Sequence, residues 1–160
     1  MHTERYAVTW KRLLIASVAA ICVLSASNAY AQASCTISVT SVNFGSYNVF
    51  GGSATDSTGT ITFNCNNMAK NIVVTLSKGG SSTYSPRTMT QGAESLGYNL
   101  YRDAARTSIW GDGTGGTATY TDNNPPNNTN VNLTVYGRVP AGQDVSAGVY
   151  SDTISAVINF

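Results

Sequence analysis

The sequence has 160 residues, of which 11% are charged, and nine basic against eight acidic side chains leave a net charge of +1. This balance excludes a strongly basic field that would recruit nucleic acid or an anionic membrane. His2 is the only histidine, so beyond it Ser-His-Asp and Cys-His catalysis lack a base and histidine metal sites lack their ligand.

The N-terminus has the organisation of a secretory signal peptide. A basic start, an uncharged apolar run and a small-residue stretch follow one another: Arg5, Lys11 and Arg12, then residues 13–25, then Ala29, Tyr30 and Ala31. The apolar run is shorter than the roughly 20 residues that a membrane-spanning helix needs. We therefore predict cleavage between Ala31 and Gln32, with cleavage after Ala33 as the alternative. Residues 1–31 are assigned to the signal peptide and 32–160 to one domain.

Two cysteines remain after the predicted cleavage. Cys22 leaves with the signal peptide, and an even pair in an exported protein indicates a disulfide, here between Cys35 and Cys65. A lipid-modified Cys35 is the weaker alternative, because residues 32–34 make a poor lipidation motif and Cys65 would stay unpaired. Residues 32–160 carry six basic and seven acidic side chains, a net charge of −1.

Short alternating segments separated by turn residues occupy the rest of the sequence, with no long helical pattern. In residues 61–65 the apolar positions alternate with Thr62 and Asn64, and the parity match with Cys35 places both cysteines on inward faces. Strands are predicted near residues 35–39, 61–65, 72–76, 96–100, 117–121, 131–135 and 153–160, with 108–110 pairing against 96–100. This pattern predicts an all-β sandwich or barrel in which a disulfide joins the first two strands.

The last predicted strand places most of its apolar residues on one face: Ile154, Ala156, Ile158 and Phe160. The sequence ends inside this strand with no turn behind it. Residues 122–130 (DNNPPNNTN) cannot form a central strand, because proline lacks a backbone donor and asparagine favours turns. We predict a protruding loop there.

Motifs that would carry chemistry are sparse. Residues 111–116 (GDGTGG) superficially resemble a dinucleotide-binding loop, but a strand rather than a helix is predicted after them, which favours a Gly-rich turn. Asp112 and Asp122 lack the ligand spacing of a calcium loop. The acids Glu94, Asp103 and Asp112 each lie beside turn residues. We therefore predict that the protein is not an enzyme and binds no cofactor or metal.

Tyrosine is the most frequent aromatic residue, with nine copies in the chain and seven beyond the predicted signal. A carbohydrate-stacking surface is one interpretation. Tyr98 and Tyr101 have opposite parity in their predicted strand, so at most one of them faces the core. Strand packing combined with scattered surface tyrosines is the favoured interpretation.

The motifs of the predicted domain, in their order along the chain, resemble those of the spore coat protein U domain. This family includes the Csu-type pilus subunits of archaic chaperone–usher systems. The resemblance is carried by residues 35–38 (CTIS), 42–45 (VNFG), 59–65 (GTITFNC), 84–89 (YSPRTM), 96–106 (LGYNLYRDAAR), 110–113 (WGDG), 135–143 (VYGRVPAGQ) and 147–154 (AGVYSDTI).

The resemblance implies an immunoglobulin-like β-sandwich that lacks its last strand and exposes an apolar groove. A periplasmic chaperone lends a strand to such a groove, and a neighbouring subunit's N-terminal extension replaces it after passage through an outer-membrane usher. Groove or core lining is expected from Ile154, Ala156, Ile158 and Phe160. The expected partners are thus the chaperone, the usher, other pilus subunits and a host or abiotic surface, but no nucleic acid.

The resemblance also implies a location and a role. The protein would be exported through the periplasm to the cell surface as a pilus subunit that supports adhesion or biofilm formation. Only Gln32, Ala33 and Ser34 would precede Cys35 after cleavage, too few to donate a strand on the order of ten residues long. We therefore expect a fibre-end position, or alternatively a free-standing extracellular coat protein or carbohydrate- or surface-binding module.

Overall fold

The structure, a computed structural model, describes residues 32–66 and 69–160. The chain divides into residues 1–31 and a compact unit at 32–160, so the predicted signal peptide lies outside the described residues and stays a prediction. Eight strands form in the described part: β1 Ser34–Thr40, β2 Thr55–Asn66, β3 Ile72–Leu76, β4 Arg87–Gln91, β5 Glu94–Tyr101, β6 Tyr120–Asp122, β7 Val131–Val139 and β8 Ala156–Asn159. No helix within this part is long and apolar enough to cross a membrane.

The strands form two antiparallel sheets that pack face to face. One sheet has the order β1-β2-β7-β5-β4 and the other has the order β6-β3-β8. The core between them consists mainly of inward side chains from β2, β3, β5 and β7: Ile61, Phe63, Cys65, Ile72, Val74, Leu76, Leu96, Tyr98, Leu100, Val135 and Val139, joined by Ala69 and Trp110. The described residues therefore form an all-β, immunoglobulin-like sandwich. The alternation predicted a sandwich or barrel, and the family resemblance implied the immunoglobulin-like form.

The alternation in β2 determines which face meets the core. Ile61, Phe63 and Cys65 are almost fully buried, at 1–2% exposure, whereas Thr62 and Asn64 between them lie on the outer face. Burying each large apolar side chain contributes roughly 1.5–3 kcal/mol relative to leaving it in water. A shift of one residue in the pairing would reverse both faces, so this alternation fixes the register.

A disulfide joins the first two strands, as predicted. Cys35 and Cys65 lie directly opposite each other in the β1–β2 ladder, with their Cα atoms 4.1 Å apart. The matching parity of the two residues brings both side chains to the inner side of the sheet. The bond closes a loop with a sequence separation of 30.

Several boundaries differ from the prediction. The strand β4 was not predicted, and the strand expected at 117–121 is confined to Tyr120–Asp122. The last strand covers Ala156–Asn159 rather than 153–160. Pairing of residues 108–110 with β5 is confirmed by a bridge between Tyr101 and Ile109.

Two glycines allow the chain after β1 to cross the sandwich closely. A Cβ atom added to Gly137 would lie 2.7 Å from Val42 Cγ1 and 2.8 Å from Phe44 Cε1. One added to Gly59 would lie 2.6 Å from the carbonyl oxygen of Thr40. The side chains of Val42 and Phe44 can therefore reach the core only because these strand positions carry no side chain.

Replacing Gly137 with alanine should destabilise the fold by about 1–3 kcal/mol, the usual cost of overpacking. The added methyl group would displace Val42 and Phe44 from the core. Urea unfolding of the variant with a complementing strand peptide bound between β1 and β8 measures this loss. Gly52→Ala is the matched control, because a Cβ atom at Gly52 meets nothing within 4 Å. Equal stability of the two variants would contradict the argument.

Candidate functional site

Two strands of the sandwich have an unpaired edge facing the same opening. The strand β1 pairs only with β2, and β8 pairs only with β3. The two strands approach each other, yet among the described residues no ladder connects them. Such edges present backbone N–H and C=O groups that can pair with an added strand.

A cavity of about 260 Å³ opens between these edges. Its rim includes Val39 of β1 and Ala156 of β8, and its lining reaches the core residues Ile61, Leu100 and Val135. The cavity therefore reaches the edge of the hydrophobic core, where these three side chains are 1–5% exposed. A sandwich with every strand in place would fill this opening with its own chain.

A second cleft, of about 750 Å³, continues the first. It lies between residues 41–50 and 145–150, and both openings share Val42, Phe44, Met89 and Tyr150. We call the two openings together the groove. Two large apolar side chains project at its far end, where Phe50 is 94% and Val149 is 84% exposed.

A hydrogen-bonded pair fixes the polar part of the groove wall. The hydroxyl of Tyr98 donates to Asp152 Oδ2 at 2.7 Å, and Asp152 Oδ1 accepts from the backbone N–H of Gly80 and of Thr153, both at 2.8 Å. Burial, followed by the hydrogen bond to Asp152, raises the pKa of Tyr98 far above its ordinary value. The phenol therefore stays a donor and holds the chain just before β8 against β5.

A buried arginine supports the same wall from inside. Arg87 is fully buried, and its guanidinium donates to the carbonyl of Ser77 at 3.1 and 2.9 Å, to Asn99 Oδ1 at 2.7 Å and to the carbonyl of Trp110 at 2.6 Å. It also lies 5.1 Å from the centre of the Tyr84 ring. Burial lowers the pKa of Arg87. These bonds tie β4 to two neighbouring segments and to β5.

The sequence did not identify Arg87 as a structural residue. A buried charge occupies a position where a strand pattern predicts an apolar side chain, and charged residues are almost never fully buried unless partnered. The only signal was its place in the motif at residues 84–89 that carries the family resemblance. Neither strand propensity nor the alternation of apolar residues indicated that Arg87 would be buried.

The predicted groove residues occupy different places. Ile154 and Ala156 line the cavity, and Ile158 packs against the core. Phe160 is 53% exposed, and its contact with a bound strand stays a prediction. Gln32 begins the described chain, whereas Ala31 on the other side of the predicted cleavage lies outside it.

The described residues contain no cluster of side chains suited to bind a metal ion. No group of three or more His, Cys, Asp or Glu side chains in this part of the chain is placed to hold one. Asp103 and Asp112 instead accept hydrogen bonds in their own turns, from Thr107 and Ser108 and from Thr114. These bonds lower the pKa of both aspartates.

Comparison with known proteins places the chain in a family. Residues 20–157 match the family model of the Spore Coat Protein U domain. Protein U of Myxococcus xanthus is 34% identical over 111 residues, which cover 64% of this chain and 59% of that protein. The match thus spans less than two thirds of the relative's length.

One solved pilus-subunit structure shares this fold, and a second is similar to a lower degree. The structure of the CsuC–CsuE chaperone–tip adhesion subunit pre-assembly complex from the archaic chaperone–usher Csu pili of Acinetobacter baumannii matches 81% of this chain and 40% of the matched chain, with a TM-score of 0.58 and 19% identity. The Escherichia coli Hda pilus minor tip subunit HdaB matches 77% of this chain and 79% of its own, with a TM-score of 0.40 and 18% identity. On the family-model match, this chain belongs to the Spore Coat Protein U domain family.

Proposed function

We propose that this protein is an exported structural subunit of a cell-surface fibre of the chaperone–usher type. Its groove would accept a strand from a periplasmic chaperone and later a strand from a neighbouring subunit. The observation that carries the proposal is the groove between the unpaired edges of β1 and β8, because it opens onto core side chains. An added strand would complete the sheets and cover the core.

The chemistry of the groove favours a strand over a small molecule. Its length runs from Ala156 to Phe50 along a row of mainly apolar side chains. A strand would place alternate side chains into the two openings while its backbone paired with the free edges. The membership in the family and the fold shared with a chaperone-bound tip subunit support this choice.

The remaining steps follow from this assembly route. Export would bring the subunit through the periplasm, where the chaperone covers the groove, to an outer-membrane usher that exchanges the chaperone strand for a subunit strand. The finished fibre would support adhesion to a host or abiotic surface and biofilm formation.

A position at the fibre end rests on the predicted signal cleavage. Cleavage after Ala31 leaves three residues before Cys35. Three extended residues reach about 10 Å, far less than a groove-filling strand requires. The subunit would then accept a strand without donating one.

In the deciding experiment, the full chain is expressed in an oxidising periplasm, with and without a cognate chaperone. We expect little soluble protein from the chain alone and a one-to-one complex when the chaperone is present. The physical reason is that the uncovered groove exposes apolar surface and strand edges that promote aggregation. Soluble yield and the mass of the purified complex are the measurements.

A pair of matched variants ties the result to the groove. Ala156→Asp places a carboxylate on the cavity wall, whereas Ser155→Asp places one at the neighbouring, exposed position. The first should abolish the complex and the second should leave it intact. A stable, cooperatively unfolding monomer without chaperone would overturn the proposal in favour of a free-standing coat or surface-binding module.

A further inference from the structure

A row of side chains that includes two tyrosines crosses the outer face of the larger sheet. Thr58 pairs with Tyr136, Tyr136 pairs with Tyr101, and Tyr101 forms a bridge with Ile109. Directly opposed residues in antiparallel strands project to the same face. We call these four residues the aromatic stripe.

The aromatic stripe faces away from the core. Tyr136 lies between Val135 and Gly137, which are both buried in the sandwich, so its own side chain points outward. The guanidinium of Arg106 lies 5.9 Å from the centre of the Tyr136 ring and supports it from one side. Both tyrosines of the stripe are half-buried.

Hydroxyl groups surround the two rings. Thr60 and Thr134, an opposed pair on β2 and β7, lie two residues from Thr58 and Tyr136 on the same face. Within the described part of the chain, the hydroxyls of Thr58, Thr60, Thr134, Tyr101 and Tyr136 take no hydrogen bond from or to another protein group. They remain available to an external partner.

Beside the aromatic stripe, one carboxylate lies between two arginines, which leaves one formal positive charge. Asp56 accepts from Arg138 Nε at 2.7 Å and from Arg138 Nη2 at 2.8 Å, and Arg106 Nε lies 3.2 Å from the same carboxylate. Arg106 also donates to the carbonyl of Ala104 at 2.9 Å. On the other side of the stripe, Thr60 and Thr134 carry no charge. Both guanidinium groups are already engaged by protein acceptors, so a neutral partner suits this face better than an anion that would have to displace those contacts.

We propose that the aromatic stripe binds a neutral polysaccharide. The C–H faces of pyranose rings would pack on Tyr101 and Tyr136, because these C–H groups carry partial positive charge and aromatic faces carry partial negative charge. Sugar hydroxyls would pair with Thr58, Thr60 and Thr134. An equatorially linked β-glucan is the best match, since its extended chain presents successive C–H faces that can contact the two directly opposed tyrosines on adjacent strands.

This site is separate from the groove. The stripe lies on the outer face of β2, β7 and β5, whereas the groove opens at the free edges of β1 and β8. Polysaccharide binding would therefore continue after a strand fills the groove. It does not depend on the proposed fibre assembly.

The test is native affinity electrophoresis of the exported protein, alone or with chaperone, in gels containing hydroxyethyl cellulose. We expect retardation that persists at high salt, because hydroxyethyl cellulose is uncharged and has no ion pair with the protein for salt to screen. Tyr101→Ala and Tyr136→Ala should each weaken the association at least about tenfold, as loss of a central aromatic contact does in other interfaces. Tyr150→Ala, the same change on the groove side, should leave it unchanged.

Three results would overturn the proposal: no retardation of the wild-type protein, stronger retardation by anionic alginate that salt abolishes, or full binding by both stripe variants. Thr134→Lys tests the same site without changing either tyrosine, so the proposal stays testable if a tyrosine variant fails to fold. Thr134 is exposed, so lysine there leaves the core intact while its long charged side chain obstructs the stripe. Unimpaired binding by this variant would also exclude the site.

Discussion

Replacing Arg87 with methionine should lower the free energy of unfolding by about 3–5 kcal/mol. Methionine fills much of the same space but donates no hydrogen bond. The carbonyls of Ser77 and Trp110 and the side-chain oxygen of Asn99 would then be buried without their donor. Each unsatisfied buried group costs about 1–3 kcal/mol. Urea unfolding of the protein with a complementing strand peptide bound in the groove, followed by tryptophan fluorescence, measures the loss.

A second arginine provides the control for this effect. Arg138 is partly exposed, and its pairing with Asp56 lies at the surface, so Arg138→Met should cost far less than Arg87→Met. Arg87→Lys should fall between the two, because one ammonium group cannot reproduce the planar fork that reaches three acceptors. A loss for Arg87→Met no larger than that for Arg138→Met would show that the buried bonds contribute little.

Removing the disulfide should have an effect of similar size. The double replacement Cys35→Ser and Cys65→Ser opens a loop with a sequence separation of 30. On the chain-entropy model this costs about 3–4 kcal/mol, because the unfolded chain regains the freedom that the bond had removed. The expected result is a lower urea midpoint for the double variant than for the oxidised wild-type protein.

Reduction provides an independent check on the disulfide. A thiol reductant should lower the midpoint of the wild-type protein toward that of the double variant and leave the variant itself unchanged. A wild-type protein whose stability did not respond to full reduction would contradict the expected contribution of the bond.

The sequence predicted the elements that follow simple alternation. In β2 and β3 the buried positions recur at every second residue, and the parity of Cys35 and Cys65 was sufficient to place both on the inner side of one strand pair. The family resemblance supplied what alternation could not, namely the immunoglobulin-like arrangement of the two sheets. Ile154 and Ala156, which share one parity, both line the cavity, and their contact with an added strand stays a prediction.

The strand β4 could not be predicted from alternation. It contains arginine, threonine and glutamine, with Met89 as its only large apolar residue, and its most buried side chain is the charged Arg87. Its stability in the sheet comes from partners far along the chain, at Ser77, Asn99 and Trp110. Contacts with residues so far along the chain cannot be predicted from the local sequence of β4.

The strand expected at residues 117–121 is shortened for a local reason. The hydroxyl of Thr117 donates to the carbonyl of Thr114 at 2.7 Å and accepts from the backbone N–H of Gly113 at 3.2 Å. Thr117 therefore belongs to the preceding turn rather than to a ladder. Threonine favours strands on average, but its hydroxyl can instead stabilise a turn.

The position of the disulfide determines how the sandwich would bear a pulling force. Cys35 is the second residue of β1, so a force that a bound strand transmits to the β1 edge meets a covalent link to β2. If the sandwich unfolds under that force, the chain between the two cysteines cannot be extended while the bond is intact. About 100 Å of extended chain stays hidden from the force as a result. The disulfide therefore holds β1, which forms one wall of the groove, covalently against β2.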